Sequence, residues 1–213
     1  APAAARPTRL MVLETVGWER TDDATKSVFA AFLENLKSAG IELIDRRSHA
    51  GVEAFEAVIQ DAEEIATDIT LWENRWTWRN MVDQFGDKIS HRLRKGLEKA
   101  EAMSPAQYES LLDRRAAAQV AHGEAARLAD AVITLACPGP APLWDATAPD
   151  ADQVRRPTGD AIFNYPSSML FAPVVTVPMM AVAGMPVGLQ VMGRPGDDAR
   201  HVLEREHGRV VDG

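Results

Sequence analysis

The sequence of 213 residues contains a single cysteine, Cys137, and aromatic residues make up only 6% of it. One cysteine excludes an intramolecular disulfide. Its place beside Pro138, at the end of an apolar run, indicates a small apolar residue rather than a reactive thiol. The five histidines lack the short spacing of metal ligands, so neither a metal nor another cofactor is predicted. They are expected to serve in packing or at the surface.

Long apolar runs and basic clusters are also missing. No stretch approaches the about 18 uncharged apolar residues of a membrane span, and the first residues lack the apolar region of a secretion signal. The net charge is −8, and the basic residues at 91–95 are scattered, so neither nucleic acid nor a membrane is an expected partner. With 46% hydrophobic and 25% charged residues, the composition is that of an ordinary folded domain. The expected location is cytoplasmic.

Residues 9–46 predict a β-α-β unit. Residues 10–13 form a short apolar strand, and a helical pattern of apolar residues follows Asp22 and Asp23 and continues to Gly40. Residues 41–44 form a second strand. Two strands joined by such a helix favour parallel pairing with a right-handed crossover. The unit therefore predicts an α/β fold.

Residues 51–129 carry helical patterns without clear strands. Ser104, Pro105 and Gln107 combine a helix-capping serine, a proline at the first helical position and a glutamine three residues after the cap. No proline follows before Ala129, so one long helix is predicted. The residues expected on its buried side are Tyr108, Leu111, Leu112, Ala118, Ala125 and Leu128.

Three tryptophans are crowded into residues 71–78. Trp72 and Trp76 are four residues apart and share one side of a helix, whereas Trp78 faces another side. One interpretation is packing against the sheet or the next helix. The other is a wall or lid over an apolar substrate, and the sequence leaves both open.

Residues 158–173 contain a predicted short helix. Asp160 precedes it, and the carboxylate of Asp160 or the amide of Asn164 is expected to cap its free backbone N–H groups. Pro166 fits the first turn, where its missing N–H costs nothing.

Two short strands are predicted after this helix. Residues 174–177 are β-branched and lie between Pro173 and Pro178, which confine the first strand to a brief run. A turn containing Gly184 leads to the second strand at residues 187–192, expected to pair antiparallel with the first. The aspartates at 197 and 198 are expected to cap a final helix.

The runs FNYPSSMLFAPVVTVP at 163–178 and GMPVGLQVMGRPGDDA at 184–199 resemble the C-terminal part of the amidase signature family of amide hydrolases. Residues 130–142 look like the family's late strand and proline-rich loop, and residues 9–13 look like the strand that follows its catalytic region. The resemblance implies an α/β fold containing part of a mixed sheet flanked by helices, with a helical middle segment. It also implies a reaction, hydrolysis of an amide C–N bond.

The family's catalytic segment is missing from these residues. The resemblance implies a nucleophilic serine, a second serine and a lysine base, with the nucleophile in a stretch rich in glycine and serine, and the sequence contains no such stretch. Ser167 and Ser168 are adjacent but have no glycine nearby, and they are interpreted as ordinary helix residues. No catalytic residue is predicted. Residues 1–213 are expected to form one C-terminal region, with 9–46, 51–129 and 130–213 as its parts, inactive alone.

The resemblance places the residues after the late strand and around Asn164 near the substrate end of the family's cleft. The predicted substrate-binding residues are Trp144, Asp160, Phe163 and Asn164, with helix capping as the alternative role of Asp160 and Asn164. The expected ligand is a small-molecule amide, bound by the complete enzyme. Because the missing strands would leave an apolar sheet edge exposed, a homodimer or pairing with a catalytic N-terminal half is expected. The alternative function is a non-catalytic subunit or interaction module that completes a partner's sheet.

Overall fold

A computed structural model of the protein describes residues 6–142 and 159–196. Its strands, in chain order, are β1 (Arg9–Val12), β2 (Glu42–Ile44), β3 (Ala131–Leu135), β4 (Val174–Val182) and β5 (Met185–Met192). The described strands form one sheet in the order β2-β1-β3-β5-β4. Strand β1 is parallel to β2 and β3, and β5 is antiparallel to β3 and β4. The predicted mixed α/β sheet is confirmed.

Within the described residues six α-helices accompany this sheet. They are α1 (Asp23–Ser38), α2 (Ala50–Ile59), α3 (Ala62–Phe85), α4 (His91–Ala102), α5 (Pro105–Ala125) and α6 (Tyr165–Leu170). Helices α2 to α5 make up the predicted helical middle segment. None of the described helices is both long enough and apolar enough to cross a membrane.

The β-α-β unit forms as predicted, with strand boundaries that differ by one residue. The Asp22 carboxylate accepts a hydrogen bond of 2.7 Å from the backbone N–H of Thr25 and so caps α1. The helix ends just before Gly40, whose φ of +82° is a left-handed conformation that glycine adopts at little cost. Strands β1 and β2 then pair in parallel, with Leu10 opposite Leu43.

The predicted start of α5 is confirmed as a capping box. The Ser104 hydroxyl accepts from the Gln107 backbone N–H at 3.3 Å, and the Gln107 side-chain oxygen accepts from the Ser104 N–H at 2.7 Å. The helix is shorter than predicted and ends at Ala125. Soon after it, the N–H of Asp130 bonds to the carbonyl of Arg9 at 2.9 Å as the chain joins the sheet. Because the backbone at Asp130 pairs with β1, the chain cannot continue as a helix to Ala129.

The central strands β1 and β3 are buried on both faces of the sheet, since alternate residues of a strand point to opposite faces and both sets are largely buried here. Met11 and Val132 face a core shared with α2, α3, α5 and α6. Leu10 and Ile133 face a second core, shared with Phe29 of α1. The fold is therefore a three-layer α/β/α arrangement. Burial on both faces explains why these strands are continuous apolar runs in the sequence.

Strand β4 is longer than predicted, because it continues beyond Pro178. The register shifts between Val177 and Met180, and this bulge accommodates a residue that has no N–H to donate. The turn into β5 consists of Ala183 and Gly184, with φ of +50° and +79°, the conformation of two-residue hairpin turns. The predicted antiparallel pairing of the two strands is confirmed.

Trp72 packs against another helix, as the first interpretation of the tryptophan cluster predicts, but its partner is α5 rather than the sheet or the next helix, α4. The Trp72 ring stacks on Tyr108 of α5, with 5.3 Å between the ring centroids. The guanidinium of Arg75, also on α3, lies 3.7 Å from the centroid of the Trp72 ring. Trp76 is 72% exposed, so the two tryptophans that share a helix side have different surroundings.

His122, in the last turn of α5, is fully buried. Its ring stacks on Phe55 of α2 with 5.7 Å between centroids. Neither ring nitrogen has a hydrogen-bond partner among the described residues. Burial lowers the pKa of His122, because the imidazolium form would lose its hydration.

We expect the protein to lose stability in mild acid through His122. A lowered pKa in the folded state means that the unfolded chain binds the proton more tightly. The contribution of His122 is thus fully present above about pH 6.5 and declines as the pH falls through the lower folded-state pKa, by up to about 1.4 kcal/mol per pH unit. Urea unfolding between about pH 7.5 and pH 5 measures this slope.

The matched variants are His122→Leu, which removes the buried group, and His91→Gln, which removes an exposed histidine from α4. We expect the pH slope to flatten only in the first. If His122→Leu keeps the slope of the parent chain, another group is responsible for the acid sensitivity.

Candidate functional site

The candidate site lies where the carboxyl ends of the parallel strands β1, β2 and β3 meet at one edge of the sheet. In open α/β sheets ligands bind at that end of the strands. The loops that form this carboxyl edge are residues 13–22 after β1, 45–49 after β2 and 136–142 after β3. Residues 159–164 are hydrogen bonded to two of these loops, and they contain three of the four predicted substrate-binding residues.

Asn164 connects the segment before α6 to the loop after β3 and to strand β5. Its side-chain N–H donates to the carbonyl of Ala136 at 3.3 Å, and its Oδ1 accepts from Nε2 of Gln190 at 2.6 Å. The side chain makes no capping hydrogen bond to α6, so the interpretation of Asn164 as a helix cap is wrong. Pro166 lies in the first turn of α6, as predicted.

Gln190 is a residue of the site that the sequence analysis missed. It lies on β5 level with Thr134 of β3 and Thr176 of β4, so three polar residues form one row across the sheet. Gln190 is only 2% exposed, and its amide depends on the bond to Asn164. The available signal was a glutamine inside an apolar strand, where burial requires a hydrogen-bond partner.

The Asp160 carboxylate makes two contacts. Its Oδ1 accepts from the backbone N–H of Ile162 at 3.1 Å, and its Oδ2 accepts from the Arg20 guanidinium at 3.0 Å. The first bond is a local cap, although it closes a turn before α6 rather than the helix itself. Arg20 also donates to Glu63 of α3 at 2.9 Å. Burial by itself would lower the pKa of Arg20. The hydrogen bonds to Asp160 and Glu63 outweigh it, so the pKa of Arg20 is raised above its usual value.

Phe163 lies beneath this edge, in the core on the α1 side of the sheet, and is 1% exposed. Its ring packs against Gly17, where an added methyl group would come within 2.8 Å of the ring. Gly17 belongs to a short 3-10 turn at Val16–Arg20, in the loop after β1. Phe163 therefore supports that loop from below, and its contact with a substrate stays a prediction.

Glu56 of α2 is a second residue that the sequence analysis missed, and it is 5% exposed. Its Oε1 accepts from the backbone N–H groups of Glu14 and Thr15, at 2.7 and 3.4 Å. Thr15 has a φ of +55°, which is strained for a β-branched residue. The Arg46 guanidinium lies 3.1 Å from Oε2, yet burial raises the pKa of the Glu56 carboxyl. The sequence offered one signal for this role: Glu56 lies on the apolar side of a predicted helix, where a buried carboxylate requires hydrogen-bond partners.

Trp144, the fourth predicted substrate-binding residue, lies outside the described residues, as do the two aspartates at 197–198. Ser167 and Ser168 lie in α6, where the Ser167 hydroxyl donates to the Asn164 carbonyl at 3.0 Å. Among residues 6–142 and 159–196, no group of three His, Cys, Asp or Glu residues is arranged to hold a metal ion.

The polar groups of the carboxyl edge mainly bind one another. The Asn164 amide is held by Gln190 and Ala136, and the Asp160 carboxylate by Arg20 and a backbone N–H. Such pairs fix the loops in place, because the buried Gln190 and the half-buried Asn164 and Asp160 depend on these partners for their hydrogen bonds. The arrangement is suited to holding these loops in one fixed position.

Known proteins share both the sequence pattern and the fold. A family model described as Amidase matches residues 2–202. A curated relative from Exiguobacterium sibiricum, one of the subunits of glutamyl-tRNA(Gln) amidotransferase, is 28% identical over 117 residues, which are 54% of this chain and 24% of the relative.

Two solved structures illustrate the similarity of the fold. A crystal structure of an amidase matches 95% of this chain and 45% of its own chain, with a TM-score of 0.78 and 22% identity. A bacterial aryl acylamidase of the amidase signature family matches 95% of this chain and 44% of its own, with a TM-score of 0.66 and 12% identity. The chain thus spans less than half the length of these proteins.

Proposed function

The chain belongs to the amidase signature family, and from this membership we propose that it is the C-terminal portion of an amide hydrolase. In this proposal it supplies scaffold and part of the substrate pocket for hydrolysis of an amide C–N bond, in the cytoplasm, and is inactive alone. The observation that carries the proposal is the match itself, which covers 95% of this chain but 45% of an amidase. The rest of such an enzyme would hold the catalytic serines and lysine.

The surroundings of the lysines support inactivity. A lysine acts as a base only when it is deprotonated, which requires burial or a suitable neighbour. Lys37 and Lys99 are exposed and pair with Glu34 and Asp68. Lys26 lies 5.5 Å from the centroid of the Trp18 ring. None of these three lysines is fully buried, whereas a catalytic lysine base requires a buried, specifically paired environment.

The substrate-side residues in this proposal are Trp144, Asp160, Phe163 and Asn164. Asp160 and Asn164 hold residues 159–164 against the carboxyl edge, and Phe163 supports the neighbouring loop from the core. Their proposed contribution is therefore to set the shape of one pocket wall. Trp144 is proposed to line the same pocket as an aromatic surface for an apolar part of the amide.

The side of the sheet at β4 is the proposed contact with the catalytic half. Four large apolar residues are exposed on or beside this outer strand, namely Phe171, Val174, Met179 and Met185. An outer strand that carries exposed apolar side chains is a surface on which another chain can add. The same observation favours the second candidate function, a non-catalytic module that completes a partner's sheet or forms a homodimer.

The test is hydrolysis of a panel of aryl amides, starting with 4-nitroacetanilide, by the chain alone and by the chain mixed with a separately produced N-terminal half from a family member. We expect no turnover alone and turnover on mixing. Turnover by the chain alone that is lost in Ser168→Ala would overturn the proposal. No turnover in either case, together with a stable dimer by light scattering, would favour the interaction module.

A matched pair of variants tests the proposed contact. Met179→Asp places a charge on the outer strand β4, whereas Val120→Asp places the same charge on α5, where Val120 is 65% exposed. We expect only Met179→Asp to reduce the turnover of the mixture. Equal turnover by the two variants would place the contact elsewhere.

A further inference from the structure

A groove of about 490 Å³ lies between α3 and α4, apart from the loops of the carboxyl edge. Small-molecule sites commonly enclose roughly 300–1,000 Å³, so the groove has room for a ligand. Trp78 and the basic residues at 91–95, two features of the sequence that the proposed function leaves without a role, both contribute to it.

The floor of the groove is apolar. It is formed by Leu71 and Trp78 of α3 and by Leu93 and Gly96 of α4. Gly96 allows close approach of the two helices, because an added methyl group there would lie 3.1 Å from the Trp78 ring and 3.3 Å from Leu71. The result is a half-buried indole ring at the bottom of an open groove, a suitable surface for a flat apolar ligand.

The rim of the groove is positive. Arg92, Lys95 and Lys99 line it, and no carboxylate is among its described lining residues, although the chain as a whole carries a net charge of −8. Lys99 is paired with Asp68, so Arg92 and Lys95 supply most of the positive charge. Helix α4 begins beside them at the Ser90 cap, and the positive end of its dipole adds to the attraction for an anion.

We propose that this groove binds a small amphipathic carboxylate, with its flat apolar body on Trp78 and its carboxylate beside Arg92 and Lys95. The basic rim favours an anionic ligand over a neutral one with the same apolar body. It would repel a cation. A nucleic acid would need a longer basic surface than these residues provide. The proposal is independent of amide hydrolysis, because none of these residues belongs to the carboxyl edge.

The probe is 2-naphthoate, and its neutral isostere 2-naphthamide is the control ligand. Both ligands have the same naphthalene ring, so the ratio of their dissociation constants measures what the charge of the carboxylate contributes to binding. We expect naphthoate to bind about tenfold more tightly than naphthamide, the usual size of a charge-assisted hydrogen bond at a partly exposed site. We also expect this preference to shrink at high salt. Titration calorimetry on the 213-residue chain measures both constants.

Lys95→Glu and Lys37→Glu make the same change in net charge, and both lysines are exposed. Lys95 lines the groove, whereas Lys37 lies in the last turn of α1. We expect Lys95→Glu to weaken naphthoate binding about tenfold or more and Lys37→Glu to change it little. Circular dichroism checks that both variants fold. Equal binding of naphthoate and naphthamide, equal effects of the two variants, or no binding of naphthoate would each overturn the proposal.

Discussion

Phe163→Ala is expected to lower the free energy of unfolding by about 3–5 kcal/mol, the usual range for removing a buried phenylalanine ring. The ring is 1% exposed within the core on the α1 side of the sheet. Its removal leaves a cavity directly under Gly17, and the 3-10 turn above it loses its support. Thermal and urea unfolding measure the loss.

The matched control is Phe171→Ala, the same chemical change at a ring that is 65% exposed. Its ring lies 4.8 Å from the guanidinium of Arg115, and an exposed contact of this kind contributes about 0.5–1 kcal/mol. We therefore expect a loss of less than about 1 kcal/mol. Similar losses in the two variants would mean that Phe163 is not a core residue, and its role would then have to be sought in the pocket alone.

Glu56→Ala is expected to cost about 2–4 kcal/mol, because the backbone N–H groups of Glu14 and Thr15 lose their shared acceptor. Thr15 also loses the hydrogen bond that helps to keep its backbone at a positive φ. The loop that presents Gly17 and Arg20 to residues 159–164 follows directly. Chemical unfolding measures the stability, and amide hydrogen exchange in residues 13–22 shows whether the loop opens locally.

Glu56→Gln is the control, because it keeps an oxygen acceptor and removes only the charge. Burial raises the pKa of Glu56, so the folded state binds the proton more tightly than the unfolded chain does. This contribution is fully present below the unfolded carboxyl pKa of about 4.3 and is lost as the pH rises through the higher folded-state pKa. We expect Glu56→Gln to remove that pH dependence and to change stability by less than about 1 kcal/mol. If Glu56→Gln lowers the stability as much as Glu56→Ala does, the hydrogen bonds from the backbone N–H groups of Glu14 and Thr15 are not the main stabilising contribution of Glu56.

Local signals in the sequence predicted much of the fold. Asp22 before α1 and the pair Ser104 and Gln107 before α5 satisfy backbone N–H groups within three residues of themselves, so their effect can be inferred without knowledge of the tertiary structure. The two strands of the β-α-β unit were similarly evident from apolar runs and one intervening helix. The family resemblance then predicted the mixed sheet.

The features that the sequence did not reveal depend on distant partners. Gln190 and Asn164 are 26 residues apart along the chain, and Glu56 lies 42 residues from Glu14. Neither partner indicates the other in the sequence, so the local pattern suggests only a cap for Asn164 and no role for Glu56. Tertiary pairing likewise ends α5 at Ala125, against a local preference for helix that continues further.

The bulge at Pro178 also changes what the outer edge of the described sheet offers to a second copy of the chain. Among the described strands, β4 has a neighbour on only one side, and a bare strand of this kind can act as a template for endless addition of further copies. Proline offers no N–H to an incoming strand, and the register shift between Val177 and Met180 prevents one straight strand from pairing along the full length of β4. The irregularity that lets β4 continue is thus expected to disfavour repeated edge-to-edge addition, while leaving part of the strand free to contact a single partner.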